Sequence, residues 1–276
     1  MKLTVGLLYS THTLLDLVAN CPTSTDELLA SFKRIEVANS EDVLVISQSC
    51  SWIEMNPAGN IQLTNSGEKI LSSTTPAERL RAQLCDVVRF HSPAWTKRLI
   101  NGRREAIKAL PSDIEQIFDE AGLLEEWDDN LLRFWDDLGL SVRIQRQEIN
   151  FRTGREAERL TVEHEAKRTK KHPDWKARDT TFAGYDILSV VDEMDHSSLS
   201  IEVKGTTQSP KEAFFFVSRH EWETAETSDR YCFYLWTIRD KPELRIVPSH
   251  EVQTHIAQDR GNGTWDQVKI PYKVFW

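Results

Sequence analysis

Apolar side chains recur at helical spacing in short blocks through residues 1–75, and polar turns cut one block from the next. Residues 13–18 form one such block. Thr23, Ser24 and Thr25 stand before residues 26–32 as a cap stands before a helix. Ser40 precedes residues 41–49, where Val43, Leu44 and Ile46 supply a stripe for burial. Residues 52–55 and 61–64 then read as two strands around the turn Asn56-Pro57-Ala58-Gly59-Asn60, a hairpin. Ser66, Gly67 and Glu68 open a further helix. Three helices followed by a hairpin is the order of a winged helix. Its third helix, the reader in a DNA-binding version, carries Glu41 and Asp42, no Lys or Arg, and only Gln48 as an amide donor. Helices that enter the major groove present basic or amide donors, so a protein-contact or packing role is expected instead.

Residues 76–150 read as a helical connector. Pro76 suits a first helical turn, Pro111 interrupts the pattern, and Ile114, Ile117, Phe118, Leu123 and Leu124 pack an acidic stretch with Trp127 and Trp135 in its core. From residue 151 the pattern changes. Residues 154–170 are helical and charged, and residues 185–191, 199–203, 214–217, 231–238 and 244–247 are strand-like. Ser218 and Glu221 have capping-box spacing and open a helix that runs to about residue 226. The expected fold class is α+β or α/β, with a mixed sheet flanked by helices over residues 151–276.

Charge and composition refine this picture. The 276 residues carry a net charge of −9, with 39% hydrophobic and 28% charged residues, an ordinary globular balance. The charge is blocky. Residues 78–108 hold eight basic and three acidic side chains, residues 113–137 ten acidic and one Arg, and residues 167–178 six basic and one Asp. Local basic patches on an acidic chain can still meet phosphate; they also describe solvated helix faces. No run of 18 apolar residues is present, and the apolar start at residues 3–9 is too short and too interrupted for a leader. A cytoplasmic protein without a membrane span is expected. Cys21, Cys50, Cys85 and Cys232 form no paired motif and read as free, mostly buried thiols. The start of a zinc-protease helix at His220-Glu221 lacks its second His, Gly261-Asn262-Gly263 lacks a dinucleotide setting, and no P-loop or nucleophile elbow occurs. Any energy-dependent step would need a partner such as an ATPase.

The chemistry-bearing pattern is Ile201-Glu202-Val203-Lys204. Strand alternation puts Ile201 and Val203 on one face and Glu202 with Lys204 on the other. Asp186 heads the preceding strand, with fifteen residues between it and Glu202, and a hairpin of that length can unite the two carboxylates. Asp186, Glu202 and the Val203 carbonyl could then bind Mg²⁺ (or Mn²⁺), Lys204 could orient a water and stabilise developing charge, and Glu158 could add a carboxylate. The same spacing also describes an exposed Glu–Lys pair on an edge strand.

Three runs decide between these. Gly184-Tyr185-Asp186-Ile187, Ile201-Glu202-Val203-Lys204-Gly205-Thr206, and Phe216-Val217-Ser218 with Glu221 and Ala225 together resemble the NO VEIN C-terminal domain family, a branch of the PD-(D/E)XK restriction-endonuclease-like superfamily. Gly154-Arg155-Glu156-Ala157-Glu158-Arg159-Leu160 resembles the helix motif that opens such domains, with Ala157 where the family more often has Gly. The resemblance covers residues 150–250. It implies Asp186, Glu202 and Lys204 as a nuclease triad, Glu158 as an accessory, and roles for Ser218 and Glu221 near the site; locally those two read as a helix cap. The basic run Lys167, Arg168, Lys170, Lys171, Lys176 and Arg178 would hold the phosphate backbone if it lines the same cleft, and Trp175 would stack on a base. A solvated loop with a packed Trp fits those residues equally.

Two readings follow. One is a metal-dependent DNA endonuclease, a hydrolase whose resemblance points to restriction or anti-phage defence, with a homodimer expected for double-strand cutting. The other is a non-catalytic regulator that binds nucleic acid or protein partners.

Overall fold

Leucines 7, 8, 14 and 15 line the buried side of helix α1 (Val5–Asn20), which Thr4 caps by accepting the Leu7 N–H at 3.2 Å. The structure, a computed structural model, describes residues 2–21, 23–124, 128–176 and 183–276. Trp127 and Arg178 lie outside them. Helix α1 starts eight residues before the block expected from the sequence, because its polar residues do not break it. Ser10 and Thr11 are buried and return their hydroxyls to the carbonyls of Gly6 and Leu8 at 2.8 and 2.7 Å, while His12 Nε2 meets Gln83 Oε1 at 2.8 Å.

The chain divides into two compact units, Met1–Arg146 and Gln147–Trp276. In the first, α1 is followed by β1 (Thr23–Ser24), α2 (Thr25–Ser31), β2 (Arg34–Ile35), β3 (Ala38–Asn39) and α3 (Ser40–Ser49). Then come β4 (Ile53–Met55), β5 (Asn60–Leu63), α4 (Asn65–Ser72), α5 (Pro76–His91), α6 (Arg103–Ile107) and α7 (Ser112–Glu120). Capping boxes start α2 (Ser24 with Glu27) and α5 (Thr75 with Glu78), the latter with Pro76 in its first turn. Strands β4 and β5 form the expected hairpin, and β1 adds to it in the order β1-β5-β4. One apolar core, including Leu8, Trp52, Ile70, Leu84, Phe118 and Trp135, runs through both the winged-helix-like segment and the segment expected as a connector.

Helix α8 (Asp129–Thr169) is continuous over 41 residues, where the sequence suggested separate helices, and the division between units falls inside it. The second unit then adds β6 (Asp174–Trp175), β7 (Ile187–Val190), β8 (Ser198–Thr206), β9 (Phe214–Ser218), α9 (Arg219–Thr227), β10 (Tyr231–Thr237), β11 (Glu243–Pro248), α10 (Ser249–Val252) and β12 (Gln267–Pro271). Five of these strands form a mixed sheet in the order β11-β10-β8-β7-β6; β8 and β10 run parallel and the other neighbours antiparallel. A ribbon of β9 and β12 stands apart from that sheet. Period-two alternation gives the sheet two apolar faces. Ile187, Ile201, Val203, Tyr234 and Trp236 pack with Ala157 and Val162 of α8. Phe233, Leu235 and Val247 pack with Phe215, Val217, Trp222 and Ala225 of β9 and α9. Gly205 lets α8 approach: a Cβ there would lie 2.8 Å from Ala157 Cβ and 2.9 Å from the Thr153 carbonyl.

All four cysteines are free; Cys50 is buried, Cys85 and Cys232 are half-buried, and Cys21 is exposed, so fewer are buried than expected. Among the described residues no helix is long and apolar enough to cross a membrane.

Candidate functional site

Strand β8 lies between β7 and β10; Glu202 and Lys204 pair with Phe233 and Leu235 of β10, just past the point where the pairing with β7 stops at Ile201. Ile201 and Val203 enter the core under α8, and Glu202, only 4% exposed, turns to the other face with Lys204. That burial removes the exposed ion pair as an account of this motif.

The backbone brings Asp186 to the same place. Its N–H donates to the Ile201 carbonyl at 3.0 Å, and its Oδ2 accepts the Val203 N–H at 2.8 Å. Ser200 turns its own N–H the other way, to the Arg230 carbonyl beside β10. Amide groups alternate sides along a strand, so the Val203 carbonyl is directed to the same side as its N–H, where Asp186 lies. The β7–β8 register pairs Ile187 with Ile201, which puts Asp186 beside Glu202 one step along.

A third carboxylate arrives from α9. Lys204 Nζ donates to Glu202 Oε1 at 2.7 Å and to Glu221 Oε1 at 3.0 Å. Glu221 is fixed by its capping box: its Oε2 accepts the Ser218 N–H at 2.9 Å, and Ser218 Oγ accepts the Glu221 N–H at 3.2 Å. Thus Ser218 is the cap and Glu221 is both cap and site residue. The spacing showed the capping box and the resemblance implied a place for both residues near the site; the structure adds the reach of Glu221 to Lys204. Nothing in the sequence hinted at Tyr231, whose hydroxyl donates to the Gly184 carbonyl at 2.7 Å and braces the turn before Asp186. Gly184 has φ +70°, and a Cβ there would sit 2.1 Å from Thr224 Oγ1, so only glycine lets α9 close over this turn.

Glu158 on α8 accepts from the Trp175 indole N–H at 2.6 Å and from Arg155 Nη1 at 2.9 Å. Its charge reaches Asp186. Burial pushes Asp186 up to about 6; the Val203 N–H and Lys204 pull it down, and Glu158 and Glu221 push it up. Glu202 is raised well above the usual carboxylate range, first by burial and then by Asp186 and Glu221, against the pull of Lys204. Burial opposes the Lys204 ammonium, but Glu202, Glu221 and Asp186 outweigh it and hold the charge more firmly than usual. One ammonium therefore faces more carboxylate than it can neutralise, which suits a further cation. Among the described residues no three His, Cys, Asp or Glu side chains form a ready metal cage. The candidate donors are instead two carboxylates and a peptide carbonyl, a sparse oxygen set of the kind a hydrated Mg²⁺ accepts.

Residues 157–247 match the family model of Protein NO VEIN, C-terminal. The match spans Glu158, Asp186, Glu202, Lys204, Ser218 and Glu221 and supports the resemblance carried by their motifs. No curated protein and no solved structure matches the chain.

Within the matched segment Lys167, Arg168, Lys170 and Lys171 stand away from the carboxylates, whereas the β6–β7 register, Trp175 with Ile187, carries Lys176 beside Asp186. Helix α8 passes Gly205 at Ala157 and Ser189 at Glu165, so its C-terminal end lies beside the far end of β7. Arg168 is used inside the fold: it binds both Glu165 oxygens and the carbonyls of Val190 and Val191. Lys167, Lys170 and Lys171 are exposed at that far end. Lys176 pairs with Asp174 at 2.5 Å. Trp175 is half-buried against the α8-side core, which is the packed alternative rather than a free stacking ring.

Proposed function

We propose that residues 147–276 hydrolyse DNA phosphodiester bonds with a divalent cation, Mg²⁺ or Mn²⁺, held by Asp186, Glu202 and the Val203 carbonyl. The observation that carries this reading is the convergence of a buried carboxylate, Glu202, a half-buried one, Asp186, and the half-buried Lys204 ammonium, at the residues the NO VEIN resemblance marks. Bound there, such an ion lowers the pKa of a water and offsets charge on the scissile phosphate. The chain's own residues do the rest. The Val203 N–H fixes the Asp186 carboxylate. Glu221 holds Lys204 beside Glu202, so that its ammonium can donate to the attacking water or to a phosphate oxygen as charge develops. Glu158 keeps negative charge near Asp186 and favours cation entry.

The antiparallel β7–β8 pair followed by parallel β10, with α9 between, suits a restriction-endonuclease-like PD-(D/E)XK arrangement. The order α1, β1, α2, α3, β4, β5, with β1 joined to β5, suits a winged helix. Its acidic α3 favours contact with a protein partner over base reading. A second protomer for double-strand cutting and an ATPase partner belong to the same proposal, as does a role in defence against foreign DNA.

The test is cleavage by the full chain of supercoiled, linear and single-stranded DNA in Mg²⁺ or Mn²⁺, beside Lys204→Ala and Asp186→Ala. The parent should cut, and both variants should fall to background. Cutting that survives both substitutions would end the proposal. A second reading, a regulator that binds without cutting, draws on one observation: Lys204 is already satisfied by two carboxylates of its own chain. DNA binding without cutting, unchanged in both variants, would favour it.

A further inference from the structure

Strand β9 alternates strictly: Phe215 and Val217 are buried, while Phe214 and Phe216 are 45% and 47% exposed. Its partner β12 does the same, with Val268 and Ile270 turned inward and Gln267 and Lys269 exposed. The outward face of this ribbon therefore shows two phenyl rings, two positions apart on one strand, at a spacing of about 7 Å. Polar side chains at these positions would leave the core intact, so folding does not require the rings. Lys269 is the register partner of Phe216, and its Nζ lies 4.1 Å from the Phe214 ring centroid. Lys211 and Lys273, one just before β9 and one just after β12, are exposed as well.

We propose that this face is a stacking platform for single-stranded DNA, with Phe214 and Phe216 under successive bases and Lys269 on the intervening phosphate. Exposed aromatic rings beside ammonium groups suit a polyanion whose bases have free π faces, and they accept any sequence. Positive charge flanking the rings favours a nucleic acid over an uncharged apolar partner. The placement deepens the nuclease reading and rests on it: β9 leads into the Ser218 cap, whose helix delivers Glu221 to Lys204. Stacking itself does not depend on cutting.

The experiment measures fluorescence anisotropy of a labelled oligothymidine of about twenty nucleotides, and of a duplex of the same length, with the full chain in EDTA. The parent should bind the single strand more tightly than the duplex. Phe214→Ala with Phe216→Ala should weaken single-strand binding about tenfold or more. Phe214→Leu with Phe216→Leu keeps apolar area but removes the π faces, and should weaken it as much. Tyrosine at both positions should restore it. No single-strand binding by the parent, or leucine variants that bind like the parent, would overturn the proposal. So would alanine variants that change only the oligomeric state in sedimentation, which would mark a protein interface. Single-strand binding by a parent that does not cut in Mg²⁺ or Mn²⁺ would sink the nuclease reading alone.

Discussion

On the α8 side of the sheet Glu165 is wholly buried, yet its pKa lies below the usual carboxylate range; on the α9 side Asp186 and Glu202 are raised. Burial opposes ionisation on both faces. Glu165 overcomes it with hydrogen bonds from Arg168, Ser189 and Tyr234, the last two at 2.6 and 2.8 Å. Its charge is fully partnered, and Arg168 ties it on to the carbonyls of β7. Asp186 has one backbone donor, and Glu202 shares one ammonium with Glu221. The first cluster is closed and holds α8 to the sheet. The second is left short of positive charge, which favours the proposed cation.

Removing the ammonium should have the largest consequence: Lys204→Ala should slow DNA cutting about 100–1000-fold, measured as initial rate on supercoiled plasmid. Next comes the closed cluster. Glu165→Ala strands Arg168, Ser189 and Tyr234 and should cost about 3–5 kcal/mol in urea unfolding. A negligible loss would mean that the network does not hold α8. Asp186→Asn should have the opposite sign and stabilise the metal-free chain by about 1–3 kcal/mol near neutral pH. The sign follows from a folded pKa of about 6 against an ordinary value of 3.8. The parent carries no penalty where both states are protonated, and it loses stability as pH rises through about 6. The gain from Asp186→Asn should therefore vanish in acid; a gain independent of pH would contradict this account. The smallest effect belongs to Lys167, Lys170 and Lys171. Alanine at all three should change cutting no more than about twofold, while lowering the salt dependence of DNA binding if they touch phosphate at all.

Much of the open site was legible because strand alternation is a short-range rule. Glu202 and Lys204 share a face, and the hairpin returns Asp186 to them, as two-residue periodicity and loop length required. The cap at Ser218 was equally local. What was hidden depends on contacts between distant segments. The residues around Glu221 show only a cap, and its place near Lys204, seventeen positions away, came from the resemblance alone; nothing near Gly184 announces Thr224. Arg168 looked like one of a basic run, because its use by Glu165 and two carbonyls exists only once α8 lies on β7. Helix α8 was read in pieces for a related reason. The change of pattern at residue 151 divided the helical connector from the helix at 154–170, but one helix runs across that boundary.

The most direct measurement is titration of the full chain with Mn²⁺, at a pH well above 6, beside a variant carrying Asp186→Asn and Glu202→Gln. One bound ion per chain in the parent and none in the variant is the predicted result. Equal binding by both, or none by either, would contradict the claim that these two carboxylates form a cation site.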